Sequence, residues 1–226
     1  MNMNYQINRT YFKPRKALGY IGGGFFLLAV PLLVFFRIFG FVTLIIGAAC
    51  VLINRELNVR FSDVEEQIKG ETDRLASELE DKYLDVKHPE PKMEITVIGD
   101  FVTEGDGLLT RRGALGKCVT SRYRVAAVGI RGERLFFLTE CFSIVEDEGG
   151  SVSDGEYDFS EIDRIEYGSV EGAAIPHSEF AIITKSGEEV LRVPAPTDYG
   201  TEKYVEDLNV SFARVRAEER REDKTI

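Results

Sequence analysis

Residues 17–53 read ALGYIGGGFFLLAVPLLVFFRIFGFVTLIIGAACVLI, and Arg37 is the only charged residue among these 37. A helix needs about 20 apolar residues to cross a bilayer, so this run is too long for one span and suits two short ones. An arginine at the bilayer centre costs at least ~2.5 kcal/mol, whereas at a turn it lies among the headgroups. The stretch therefore predicts a transmembrane helical hairpin over 17–53, with Arg37 at its turn.

A second arrangement is one tilted helix, kinked at Pro31, whose Arg37 side chain extends to the membrane surface. The length of the run favours the hairpin, and a second span argues against a cleaved signal peptide. Lys and Arg flank both ends of the run. Because positive residues stay in the cytoplasm, we expect a multi-pass protein of the cell membrane with both termini cytoplasmic.

Small residues in the first span predict close helix packing. Gly19 and Gly23 are four positions apart, a spacing that lets helices approach closely in lipid. These glycines could serve either dimerisation or packing of the two spans against each other, and the second fits the hairpin directly.

Helical sequence follows the spans. We divide the chain into a basic N-terminal tail (1–16), the hairpin (17–53), a helical stalk (54–90), a β-rich cytosolic domain (91–216) and a charged tail (217–226). The stalk has apolar residues at spacings of three, four and seven, typical of one helix face. It fits either a short coiled coil or a helix that packs on its own soluble domain.

After Lys92 the pattern becomes β-rich. Residues 117–130, KCVTSRYRVAAVGI, are expected to form a strand that alternates apolar with polar residues. Two hairpins are predicted, one around RGE (131–133) and one around the Ser-Gly turn at 186–187, with EDEGGSVSDGE (146–156) as a loop. Residues 201–215 then form an amphipathic helix, with Thr201 as its cap. The fold class is a membrane helical hairpin plus an α+β domain, in which an antiparallel β barrel or sandwich is capped by the C-terminal helix.

Roughly residues 117–216 resemble a bacterial pleckstrin-homology-like domain. The resemblance rests on SRYRVAAVGI, RLFFLTE, DFSEIDRIEY, FAIITKSGEEVLRV and the helix EKYVEDLNVSFARV, in that order. It implies a binding or scaffolding module, often found beside membrane helices, and not an enzyme. Residues 93–112 lie outside the resemblance and fit an extra strand pair.

Charge is unevenly distributed. The chain carries −10 overall, yet residues 107–139 contain one acid against seven basic residues, and residues 140–179 reverse this. One interpretation is a surface that binds anionic lipid headgroups, since each Lys or Arg near such a membrane gains ~1 kcal/mol. The other is stabilisation by cross-strand ion pairs. The candidate headgroup ligands are Arg111, Arg112, Lys117, Arg122, Arg124 and Arg131.

Other function classes are less supported. The acidic total argues against nucleic acid. Neither the three cysteines nor His88 and His177 have the spacing of a metal site or a catalytic set, so no cofactor, metal or enzymatic activity is predicted. We expect binding or scaffolding at the membrane, with lipids, a protein partner or a second copy as ligand. The alternative is a regulatory or assembly subunit that binds its partner through the acidic surface around 146–171.

Overall fold

The computed structural model describes residues 3–83, 93–112, 118–147, 150–171, 173 and 175–222, with only the backbone of residues 216 and 219–222. The chain divides into two compact units. The helical unit comprises Asn2–Glu66 with Ile144–Glu146, and the sheet unit comprises Gln67–Ser143 with Asp147–Ile226.

The helical unit is built around two apolar helices that pack against each other. It contains α1 (Tyr5–Phe12), α2 (Ala17–Phe35), α3 (Arg37–Glu56) and the first residues of α4 (Phe61–Tyr83). Phe36 alone separates α2 from α3, and the two run antiparallel, with Gly22 facing Gly47 and Leu33 facing Gly40. Arg37 is exposed at the turn, which is where the sequence places it.

Both apolar helices are long enough to cross a membrane. Mean hydropathy reaches 2.1 in α2 and 2.0 in the helix that begins at Arg37. Their outer faces carry large apolar side chains that are mostly exposed, such as Leu27 and Ile38 at 78% each. An apolar surface of this kind requires lipid or another protein to cover it.

The sequence predicts close packing at Gly19 and Gly23, but among the glycines the closest contacts between α2 and α3 are at Gly22 and Gly40. A Cβ on Gly22 would lie 3.0 Å from the carbonyl oxygen of Gly47, and one on Gly40 would lie 2.6 Å from the Cα of Leu33. Gly19 faces Asn54, but a Cβ on Gly23 would meet no atom within 4 Å. At 3.6 residues per turn, Gly23 lies about 100° around the helix from Gly22, so it points away from the α2–α3 contact.

The N-terminal residues form structure where the sequence indicates only a basic tail. Helix α1 buries Asn8, whose amide donates to the carbonyl of Ile144 at 3.1 Å within the helical unit. The hydroxyl of Thr10 accepts the backbone N–H of Val59 at 3.3 Å. Such bonds replace water for polar groups of a short helix that could not persist alone.

Helix α4 is amphipathic, and its apolar stripe is covered by its own chain. Val64, Ile68, Leu75 and Leu79 are buried. In the sheet unit, the ring of Tyr83 lies 4.7 Å from that of Phe136. This part of α4 packs on the sheet unit, as in the second alternative for the stalk. The predicted end of the stalk, at residues 84–90, lies outside the described residues.

Nine strands form three antiparallel sheets in the sheet unit as described. The strands are β1 (Glu94–Phe101), β2 (Thr110–Arg112), β3 (Cys118–Thr120), β4 (Arg122–Arg131), β5 (Arg134–Ser143), β6 (Ser151–Asp158), β7 (Ile162–Ser169), β8 (Ser178–Thr184) and β9 (Glu189–Ala195). Their orders are β1-β4-β5-β6, β2-β3 and β7-β8-β9. Helix α5 (Tyr199–Glu222) follows and continues into the predicted charged tail.

Three details differ from the sequence expectations. Residues 93–112 are not one extra strand pair, because β1 joins the main sheet beside β4 and β2 pairs with β3. The expected loop contains β6, whose pairing with β5 overrides its Gly, Ser and Asp content. The centre of β4, Val125–Val128, is buried on both faces instead of alternating.

The core of the sheet unit lies between its two larger sheets. Ala126, Val128 and Phe137 of the first sheet share one buried cluster with Phe180 and the other inward side chains of the second. Helix α5 adds its apolar face to the same cluster, through Val205, Leu208, Phe212 and Val215. Among the described residues the sheets form no closed barrel. The fold is α+β, with an apolar helical N-terminal region.

The α2–α3 contact predicts which glycine tolerates a methyl group. Gly40→Ala should destabilise the hairpin by about 1–3 kcal/mol, because overpacking forces the helices apart. Gly23→Ala is the matched control and should leave stability unchanged, since its Cβ meets no atom. Thermal unfolding of the full chain in detergent measures both. Equal losses of stability would contradict this packing.

Candidate functional site

A groove of about 1000 Å³ runs between β7 and α5 in the sheet unit. Its volume lies at the upper end of the range typical of ligand pockets. One wall is the strand from Ile165 to Val170, and the other is the first half of α5. The α5 wall consists of Glu202, Val205, Glu206, Asn209, Val210 and Ala213.

One asparagine attaches the helix to the strand. The side-chain oxygen of Asn209 accepts the backbone N–H of Ile165 at 2.9 Å, and its amide nitrogen donates to the carbonyl of Ile165 at 3.0 Å. A carboxamide offers one acceptor and two donors, so it can substitute for the backbone of a neighbouring strand. Asn209 thereby holds α5 beside the outer edge of β7.

The start of α5 is fixed next to the groove. The carboxylate of Asp198 accepts the backbone N–H of Thr201 at 2.8 Å, so Asp198 provides the cap that the sequence assigned to Thr201. The hydroxyl of Tyr167 donates to the carbonyl of Pro196 at 2.8 Å. Burial raises the pKa of Tyr167 above its ordinary value, so it remains a neutral donor at physiological pH.

The groove has an acidic character. Glu166, Glu179, Glu202 and Glu206 line it, against Arg192 as the basic side chain. Arg192 forms ion pairs with both Glu179 and Glu189. Hydrogen bonding to these carboxylates raises the pKa of Arg192 and lowers that of Glu189. The positive charge is therefore compensated locally.

Two glutamates of α5, Glu202 and Glu206, present exposed carboxylates to the groove. Glu202 and Glu206 are exposed and four positions apart, so they lie on the same face of α5. Within the described part of the chain neither forms an ion pair, whereas Glu166 pairs with Arg164 at 2.7 Å. The α5 wall therefore presents two uncompensated carboxylates to whatever occupies the groove.

A second cavity of about 220 Å³ is lined by Arg124, Cys141, His177 and Arg192, among others. The ring of His177 lies 2.9 Å from the carbonyl of Ile175 and 3.2 Å from the hydroxyl of Thr103. These polar groups already have partners within the fold. Among the described residues, no group of three or more His, Cys, Asp or Glu side chains is arranged to hold a metal ion.

The candidate headgroup ligands do not form a single surface. Arg111 and Arg112 are exposed on β2, and Arg122 and Arg124 share one face at the start of β4. Arg131 is at the opposite end of β4, nine residues from Arg122, a separation of roughly 30 Å on the other face. Its guanidinium lies 5.6 Å from the centre of the Phe136 ring. Lys117 lies outside the described residues.

Part of the charge division consists of cross-strand ion pairs. Arg134 of β5 contacts Glu156 at 2.7 Å and Asp158 at 3.1 Å, both on β6. Lys82 of α4 contacts Asp154 at 2.6 Å, and its hydrogen bond lowers the pKa of that carboxyl. These exposed pairs contribute little stability each, about 0–1 kcal/mol. They account for some of the acids on β6 and none of those on α5.

Comparison with family models, curated proteins and solved structures gives no match. Sequence reasoning missed Asn209, although a signal was present: it is a polar residue beside Leu208 in the apolar stripe of a helix. An amide there indicates a buried polar partner, here the edge of β7.

The Asn209 contact predicts local opening on substitution. Asn209→Ala leaves the N–H and carbonyl of Ile165 unpaired, a loss of about 1–3 kcal/mol. Amide exchange at Ile165, measured in the full chain, should therefore become about 5- to 150-fold faster. Ser211→Ala on the same helix is the control, since the hydroxyl of Ser211 donates to the carbonyl of Asp207 within α5 and bonds to no strand among the described residues. Equal exchange in both variants would contradict the assigned role of Asn209.

Proposed function

We propose that the chain is a membrane-anchored binding protein whose sheet unit holds a protein partner in the acidic groove between β7 and α5. The observation that carries this proposal is the groove itself: its volume, its wall formed by the edge strand β7, and the two glutamates of α5 that form no ion pair among the described residues. Recognition needs shape, hydrogen-bonding groups and charge, and all three are present there. The proposed role is binding or scaffolding and not catalysis.

The anchor in this proposal is a two-pass hairpin with both termini in the cytoplasm. Two apolar helices with exposed outer faces support it, as does the exposed Arg37 at their turn. Basic residues before α2 and after α3 favour the cytoplasmic side. The binding unit would then operate at the inner face of the cell membrane.

We also propose a pleckstrin-homology-like arrangement for the sheet unit. The strands on which the resemblance rests are followed by a C-terminal helix that shares one core with both larger sheets. The resemblance implies a binding or scaffolding module, of a kind often found beside membrane helices. The net charge of −10 and the acidic groove both oppose nucleic acid as the ligand.

Photo-crosslinking in cells tests the partner site. A photoreactive residue replacing Val210, which is 64% exposed in the groove, should form a discrete adduct with another protein. The same replacement at Val152 on β6, 56% exposed, is the matched control and should not. Glu202→Lys combined with Glu206→Lys should abolish the Val210 adduct by reversing the charge. An unchanged adduct, equal adducts at both positions or no adduct would refute the proposal.

A second candidate function is docking on anionic lipid headgroups. The exposed Arg111 and Arg112 on the short strand β2 favour it, because two adjacent cations gain ~1 kcal/mol each near an anionic surface. Arg122 and Arg124 could add to that surface. The two functions use different residues, so they can be tested separately.

Charge reversal of the arginines tests headgroup docking. Arg111→Glu, Arg112→Glu, Arg122→Glu and Arg124→Glu together should reduce binding of anionic liposomes to the nanodisc-embedded chain by at least about tenfold. The melting temperature should hold. If stability falls while liposome binding is unchanged, the arginines serve the fold and lipid docking is wrong. Glu202→Lys is the control and should not lower liposome binding.

A further inference from the structure

The outer edge of β7 exposes backbone groups that a further strand could use. Along an antiparallel edge strand, the N–H and carbonyl of successive residues point alternately toward the neighbouring strand and away from it, so those of Tyr167 and Ser169 point the same way as those of Ile165. At Ile165 that side is occupied by Asn209, and the backbone N–H of Val170 points the opposite way, toward the carbonyl of His177. Within the described residues, the backbone groups of Tyr167 and Ser169 have no partner.

This open stretch of edge coincides with the groove. Gly168, Ser169 and Val170 line it together with Tyr167, and Ser169 is exposed. Among the described residues, Asn209 is the one side chain of α5 that bonds to the backbone of this edge, and it does so at Ile165. Beyond that point the edge is open over two residue pairs, enough for up to four backbone hydrogen bonds with an extended segment.

The negative charge of the groove indicates which side chains a segment added to β7 would carry. Glu202 and Glu206 lie on the wall that faces this edge, and neither is compensated by an ion pair in the described part of the chain. In an added strand, every second side chain would point to the same side. Lysine or arginine at alternate positions would therefore meet the two carboxylates, whereas a phosphate or an acidic segment would be repelled.

We propose that β7 accepts an extended, lysine- or arginine-bearing segment of a protein partner as an added strand, paired to Tyr167 and Ser169 and facing Glu202 and Glu206. Backbone pairing would provide affinity, and alternate side chains would provide specificity. This inference rests on the proposed function, because it specifies how the same groove holds its partner.

The test uses the full chain in nanodiscs of zwitterionic lipid, with an eight-residue peptide of alternating lysine and valine as probe. The peptide should bind, and it should slow amide exchange at Tyr167 and Ser169. A peptide of the same sequence with alternate backbone nitrogens methylated keeps its charge but loses donors, and should bind at least about tenfold more weakly. Equal binding of the two peptides, or no binding of either, would overturn the inference.

A pair of variants at one position isolates the backbone of the protein. Ser169→Pro removes the outward N–H, and an edge strand tolerates proline where that N–H faces solvent. It should weaken peptide binding by about threefold to tenfold, the value of one hydrogen bond. Ser169→Ala removes the hydroxyl, keeps the N–H and should bind normally. If the two variants bind alike, the added strand is wrong.

Failure of this inference is distinguishable from failure of the proposed function. If the Val210 adduct in cells disappears on reversal of Glu202 and Glu206 but forms with undiminished yield in Ser169→Pro, the groove binds a partner by another mode. If the charge reversal leaves the adduct unchanged, the proposed function itself fails. An adduct of Val210 with a second copy of the chain would overturn the assigned occupant.

Discussion

The sheet unit depends on two central strands that are apolar on both faces. Val125 to Val128 of β4 and Leu135 to Leu138 of β5 are all buried. A sheet of this kind cannot leave either face in water, so it needs a layer on each side. Helix α4 covers one face, and the second sheet together with α5 covers the other. A large-to-small substitution at Leu79 would therefore remove cover from the sheet, and not only packing from a helix.

The need to bury the apolar faces of the sheet also explains where the groove lies. Helix α5 is drawn to the core by its apolar stripe, and Asn209 adds a polar contact to the edge of β7. A helix cannot hydrogen-bond to every outward backbone group of a strand edge, because its side chains reach that edge only once per turn or less. The outward backbone groups of Ile165 are bonded to Asn209, whereas those of Tyr167 and Ser169 have no partner among the described residues. The groove proposed as the binding site thus lies where α5 leaves the edge of β7 only partly covered.

The sequence was informative wherever one local pattern sufficed. Apolar length and a single arginine predict α2, α3 and their turn, and Gly132 and Gly187 mark two hairpin turns that both require positive φ. It was misleading where tertiary contacts decide. Strand β6 has loop composition and is held by β5, and the alternation expected of β4 is absent because α4 covers its second face. Arg122 and Arg131 are only nine positions apart in sequence, but they lie at opposite ends of the extended strand β4. Asn209 could be found only by asking what a polar residue does beside an apolar stripe.

The order of the elements along the chain affects how the protein is made. Helix α4 is complete at Tyr83, but its apolar stripe is covered only after β5 ends at Ser143, 60 residues later. At ~5–20 residues per second, synthesis of those residues takes roughly 3–12 s. During that interval the stripe of α4 has no sheet to pack on. The nascent chain therefore passes through a stage in which this amphipathic surface is exposed to chaperones, to lipid or to neighbouring chains.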